Sequence, residues 1–137
     1  MAFPSLSENE SLARLIVSGF VSGLNPMIDE LSDVKTAVSE AVTNCIVHGY
    51  RNTVGTIKMH LRILEGNELY IRISDKGCGI ENIERAMEPL FTSAPDEDRA
   101  GLGFTVMESF MDKLSVRSKN GNGTTVTMRK KLESRVK

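Results

Sequence analysis

Glu40, Asn44 and His48 follow one another at intervals of four, so on a helix they share one face. A carboxylate one turn before a carboxamide suits phosphoryl transfer. The amide oxygen of Asn44 is a hard ligand for Mg2+, an ion usually held by few protein groups together with phosphates, and Glu40 could accept a hydroxyl proton as transfer proceeds. His48 reads more simply as part of a solvated polar stripe. Asp75 closes an alternating segment and precedes Gly77 and Gly79, where missing side chains would let a planar ring approach the backbone. A carboxylate accepting from an exocyclic amine selects adenine over guanine, although an Asp-x-Gly turn also occurs for purely structural reasons. Gly101 and Gly103 stand where an irregular stretch meets a helix, so their amides and the helix dipole could receive phosphate oxygens; a hinge is the alternative. Arg99 just before them could neutralise charge on a terminal phosphate, or simply be a surface arginine. Gly121 and Gly123 read as a hairpin turn, with Thr124 or Thr125 placed to support Asp75 through a hydroxyl or a water.

These residues need a scaffold, and hydropathy periodicity supplies one. Ser7 with Glu10 three residues later predicts a capping box, followed by Leu12, Leu15, Ile16 and Phe20 at helical spacing. Gly23, Asn25 and Pro26 end that helix. Leu31, Val34, Val38, Ala41, Val42 and Cys45 predict a second, from Asp29 to near Gly49, which carries Glu40 and Asn44. The period then changes to two: Ile57, Met59, Leu61 and Ile63, then Leu69, Ile71 and Ile73, predict two half-buried strands joined by a tight turn at Glu65-Gly66-Asn67. A short acidic helix is expected from Ile80 to Met87, an irregular stretch from Glu88 to Ala100, and a helix from about Gly103 to Asp112. Leu114 to Lys119 and Thr124 to Lys131 read as a closing hairpin. The pattern is α/β in class: an α+β two-layer sandwich with a mixed, mainly antiparallel sheet and helices on one face.

The 137 residues suit one domain, taken as 1–137, and 40% hydrophobic with 26% charged residues is an ordinary globular mixture. Formal net charge is −1, so nothing global draws the chain to nucleic acid, no direct nucleic-acid contact is expected, and Arg129-Lys130-Lys131 reads as a solvated strand end. No apolar run approaches the roughly 20 residues of a membrane span, and neither a membrane association nor a leader is expected; the expected location is the cytoplasm. Cys45 and Cys78 make no close pair and read as free thiols.

The ordered blocks Glu-x-x-x-Asn-x-x-x-His, Asp-x-Gly-x-Gly, Gly-x-Gly and Gly-x-Gly-Thr resemble the ATPase and kinase superfamily of gyrase, the Hsp90 chaperone, histidine kinases and MutL, with its Bergerat-type ATP-binding fold. Within it, Ser39-Glu40-Ala41-Val42-Thr43-Asn44 with His48-Gly49-Tyr50, and Glu88-Pro89-Leu90-Phe91-Thr92-Ser93 leading to Gly101-Leu102-Gly103-Phe104, are similar to the anti-sigma-F factors of sporulating bacteria. That resemblance implies a homodimeric serine kinase that uses ATP, is regulated by ATP and ADP, phosphorylates an anti-anti-sigma partner and holds RNA polymerase sigma factor F inactive. By position it implies Glu40 as base, Asn44 on Mg2+, Asp75 on adenine, Arg99 on the terminal phosphate, and Glu10 and Arg14 of the first helix as the partner-docking pair. Four-residue spacing would equally make Glu10 and Arg14 a plain exposed ion pair. The family carries several more residues before the Phe3 position, forming an edge strand there. Three alternatives remain open on residue types: the related anti-sigma kinase of the general stress sigma factor, the ATP-binding domain of a histidine kinase, and a nucleotide-gated binding module without transfer chemistry.

Overall fold

A computed structural model describes residues 1–50, 53–79, 95–118 and 121–133, with the backbone alone for 95–102. Five strands, β1 (Ala2–Pro4), β2 (Thr56–Leu64), β3 (Glu68–Asp75), β4 (Lys113–Ser118) and β5 (Thr124–Lys131), form one sheet in the order β1-β2-β3-β5-β4. Every pairing is antiparallel, so the expected admixture of parallel strands is absent from the described sheet. Three helices, α1 (Glu8–Ser22), α2 (Ile28–Asn44) and α3 (Pro95–Phe110), complete the described elements, with a π-helical turn, Cys45–Gly49, continuing α2.

Period-two burial makes the sheet one-sided. Ile57 and Met59, Leu69, Ile71 and Ile73, and Val126 and Met128 meet Val34, Val38, Ala41 and Val42 of α2 in one apolar cluster with Phe104 and Met107 of α3. Burying such side chains contributes about 1.5–3 kcal/mol each, which is why the alternation dictates register. The β2–β3 hairpin turns at Glu65–Asn67 as expected, with Gly66 and Asn67 at φ of 78° and 60°.

Several local expectations are corrected. Ser7 makes no side-chain cap; the Glu10 carboxylate is turned instead toward Arg14 and toward Ser39 of α2. The inward face of α1 is Ala13, Val17 and Val21, whose small side chains allow close helix packing, while Leu12, Leu15 and Phe20 point outward and Leu15 is 70% exposed. The last helix begins at Pro95 rather than Gly103, so Gly101 and Gly103 lie inside it and not at its N-terminus. Lys130 is not a solvated strand end: its ammonium donates to the Phe110 carbonyl at the end of α3 and lies 3.8 Å from Asp33. The helix expected at Ile80–Met87 lies outside the described residues.

Candidate nucleotide site

Glu40 and Asn44 lie one turn apart on α2, and α3 crosses them at Gly103. A Cβ on Gly103 would stand 3.1 Å from Asn44 Nδ2 and 3.2 Å from Glu40 Oε2, a contact tight enough that the polar pair would have to give by a few tenths of an ångström. Burial raises the Glu40 pKa above 4.5, and the neighbouring Glu10 charge pushes it further in the same direction. Asn44 Nδ2 is buried and has no hydrogen-bond partner among the described residues. An unmatched buried amide costs about 1–3 kcal/mol, and such groups mark places where function outweighs stability. The orphaned Nδ2 is a donor and fits an acceptor that arrives from outside, such as a phosphate oxygen, while the oxygen of the same carboxamide is of the kind Mg2+ takes. Among the described residues no three His, Cys, Asp or Glu side chains gather as a metal cluster.

Alignment at spacing four stops at Asn44. Beyond it the turn is π-helical, and Tyr50 N donates to Cys45 O at 2.9 Å across five residues, so His48 does not continue the stripe. The widened turn brings its own backbone to the loop after β3. The Gly49 carbonyl accepts from Cys78 N at 2.9 Å, the His48 carbonyl accepts from Cys78 Sγ at 3.1 Å, and Tyr50 Oη accepts from Lys76 N at 2.7 Å while donating to Thr56 O at 2.5 Å.

Asp75 sits at the centre of that junction, 8% exposed at the end of β3. Its Oδ1 accepts from Gly77 N at 2.8 Å, and the buried Cys45 thiol and the Thr124 backbone also donate to it. Burial lifts its pKa above 3.8, and those three hydrogen bonds pull the other way. The glycines around it serve close backbone packing. A Cβ on Gly77 would overlap the Gly49 carbonyl, so Gly77 faces backbone rather than the open space expected for a planar ring. One on Gly123, at φ 89°, would overlap the Asp75 carbonyl. Gly79 has φ 74°, which requires glycine on conformational grounds. The Gly121–Gly123 turn also belongs to this assembly, since Gly121 N donates to Cys78 O at 2.5 Å.

Thr124 lies opposite Asp75 in the β3–β5 register and on its face of the sheet; its hydroxyl lies 2.9 Å from Ser118 Oγ. Thr125 lies opposite Ser74 and so falls on the other face, which removes it from the support of Asp75. The Arg99 side chain and the surroundings of Gly101 are outside the described residues. Glu10 and Arg14 form the ion pair expected from their spacing, at 3.3 Å, and Glu10 also accepts from Ser39, the residue preceding Glu40. Gly49 and Tyr50 entered the sequence reading only as part of the family-like segment His48-Gly49-Tyr50, Gly49 also as the end of a helix, and Cys45 only as an apolar helix position and free thiol, none with a role of its own.

The fold is a one-sided antiparallel sheet under a helical layer that carries Glu40 and Asn44, with a buried aspartate in the glycine turn after β3. Residues 3–130 match the family model of the histidine kinase-like ATPase domain. The chain is similar to the anti-sigma F factor of Clostridium acetobutylicum (55% identity, covering 96% of this chain and 92% of that one) and to that of Clostridium beijerinckii (58%, 95% and 91%). It is also similar to the anti-sigma F factor of Caldanaerobacter subterraneus (53% identity, 95% and 90%). Among solved structures, the histidine kinase domain of the blue-light activated kinase of Erythrobacter litoralis superposes with a TM-score of 0.59 at 22% identity, covering 76% of this chain. Full-length ShkA in complex with AMPPNP gives 0.59 at 15%, covering 78%. This chain spans 45% and 23% of those two kinase chains, and the likeness to them is one of fold. The chain belongs to the histidine kinase-like ATPase domains and, within them, to the anti-sigma F factor family.

Proposed function

We propose that this protein is an anti-sigma factor that binds sigma factor F under the control of ATP and ADP and phosphorylates an anti-anti-sigma partner on serine. The observation that carries the reading is the orphaned Asn44 amide beside Glu40, roofed by Gly103. ATP with Mg2+ would supply the phosphoryl group and part of the charge compensation for its transfer. Asn44 would hold the metal through its amide oxygen. Asp75 would accept a hydrogen bond from the adenine amine, and Thr124 would brace it from β5. Glu40, with its pKa raised, is a stronger proton acceptor than an ordinary glutamate and would take the proton of the partner's serine hydroxyl. Arg99 would meet the terminal phosphate. Reception of phosphate oxygens by the Gly101 and Gly103 amides would need the first turns of α3 to unwind, because amides inside a helix are already committed to its ladder.

Glu10 and Arg14 would form the docking surface, and the outward Leu12, Leu15 and Phe20 suit contact with a protein, in keeping with a homodimer of one-domain subunits working in the cytoplasm. No helix among the described residues is long and apolar enough to cross a membrane. Calorimetric titration of sigma factor F into the protein tests the anti-sigma role. Tight binding with a nucleotide present and weaker binding without it is expected; affinity indifferent to nucleotide would contradict the reading.

A further inference from the structure

The solvent face of the sheet carries a charge that the chain's total conceals. Lys58 and Arg62 of β2, Arg72 of β3, Lys113 and Arg117 of β4 and Lys131 of β5 occupy register positions out of phase with the core, and all six are exposed. None of the six is paired with a carboxylate among the described residues. Arg129 on the same face is engaged with Glu68 at 3.4 Å and lies 5.6 Å from the Tyr70 ring. Glu68 is the one carboxylate at these positions of β2 to β5. The formal net charge of −1 therefore averages a basic sheet face against carboxylates elsewhere in the chain, among them Glu8, Glu10, Asp29, Glu30, Asp33 and Glu40 of α1 and α2. Across the helical layer, about 10 Å thick, these carboxylates are screened from anything on the sheet face at physiological salt, where the Debye length is about 8 Å.

We propose that this face binds the phosphate backbone of a nucleic acid. In register, Lys58 and Arg117 end one row across the sheet and Arg62 and Lys113 end another, the members of each pair about 14 Å apart and the rows about 13 Å apart, with Arg72 in the row between, and the hydroxyls of Ser115, Thr125 and Thr127 stand among them as additional donors of the kind that contact phosphates. A folded protein partner would call for an apolar or aromatic anchor at the centre of the contact. The large apolar side chains on this face are Tyr70, half-buried beside Arg129, and Leu64 at the hairpin end. A lipid surface would likewise favour apolar residues for insertion, and a single aromatic makes no base-stacking platform. Binding is therefore backbone-directed and indifferent to sequence. The face lies on the opposite side of the sheet from Asp75, so the proposal stands apart from the phosphotransfer reading.

Fluorescence anisotropy of a labelled random-sequence 20-base-pair duplex, titrated with the full chain at 50 and 200 mM salt, tests it. Neutralising about four phosphates gives a log–log salt slope of about −3.6, hence roughly a hundredfold loss of affinity between the two conditions. The double variant R72E/R117E should bind at least about tenfold more weakly at 50 mM and flatten the slope by about 2, while retaining the ATP affinity of the parent. If that variant does not fold, K58Q/R62Q should flatten the slope by the same amount. No binding at 50 mM, binding that these changes leave intact, equal competition by polyglutamate, or binding to phosphatidylserine vesicles in place of duplex would each overturn the proposal.

Discussion

The Cα of Gly49 lies against the Asp75 carboxylate, so that a Cβ at position 49 would stand 2.9 Å from Cγ and Oδ2. Helix end and strand end thus meet through the Asp75 carboxylate, with no side chain from position 49 to hold them apart, and the π-helical turn also delivers the Gly49 carbonyl to Cys78 N.

Gly49→Ala should therefore displace Asp75. We expect a loss of about 1–3 kcal/mol in stability, as for overpacking of a tight interior, and a larger proportional loss in ATP affinity, since the carboxylate proposed to read adenine is the group pushed aside. Thermal unfolding and nucleotide titration on the same preparation check both.

Cys45 should matter through the same carboxylate. Its thiol is 3% exposed and donates to Asp75, and both burial and the Asp75 charge raise its own pKa far above 9.0. Cys45→Ala removes a donor to a buried acceptor, at an expected cost of about 1–3 kcal/mol, and should narrow the preference for ATP over GTP; Cys45→Ser should restore much of that preference. Competition binding with the two nucleotides measures it.

Much of the site was legible because two of its features are local. Spacing of four put Glu40 and Asn44 on one helix face, and the Asp75–Gly79 turn announced itself by composition. The rest was hidden for physical reasons. Gly49, Gly77 and Gly123 look like ordinary helix-end and turn glycines until the chain is folded, when Gly77 and Gly123 prove to press on backbone distant in sequence and Gly49 on the Asp75 carboxylate. Thr124 and Thr125 are alike in sequence, and only the β3–β5 register decides which shares a face with Asp75. The helical spacing in α1 misled because Leu12, Leu15 and Phe20 face outward while the small Ala13, Val17 and Val21, with Ile16 beside them, face inward, a choice made by the closeness of α2 and not by hydropathy. For the fold, the alternation in β2 and β3 was strong enough to set the hairpin, whereas the start of α3 at Pro95 was not marked by any apolar period.

Gly101→Ala should favour the helical form of α3 by about 0.5–1 kcal/mol, because alanine has less conformational entropy to lose. If the phosphate amides must be freed from this helix, ATP affinity should fall as stability rises. Opposite signs of the two changes, read by unfolding and by nucleotide titration, distinguish this from simple damage.

The pH profile should carry the mark of Glu10. Glu40 must be ionised to accept a proton, and burial first, with the Glu10 charge second, holds its pKa above 4.5. The acid limb of single-turnover transfer at saturating partner should accordingly lie above 4.5, and Glu10→Gln should move it down toward that value. The linked effect on stability has a definite sign. The folded protein holds the Glu40 proton more tightly than the unfolded chain, so this group opposes folding increasingly as pH rises through that window. Glu40→Gln should then melt no lower than the parent at neutral pH.

If Glu40 is the base toward a serine of a bound protein, removing its carboxylate should stop transfer to that serine. Purified protein, Mg2+ and ATP labelled at the terminal phosphate are incubated with an anti-anti-sigma protein and with its acceptor-serine-to-alanine variant, and label on that protein is followed. We expect serine-dependent transfer that Glu40→Gln reduces by about 10²–10⁴-fold with ATP binding retained. Transfer unchanged in Glu40→Gln, or none in the parent protein with ATP bound, would contradict that role.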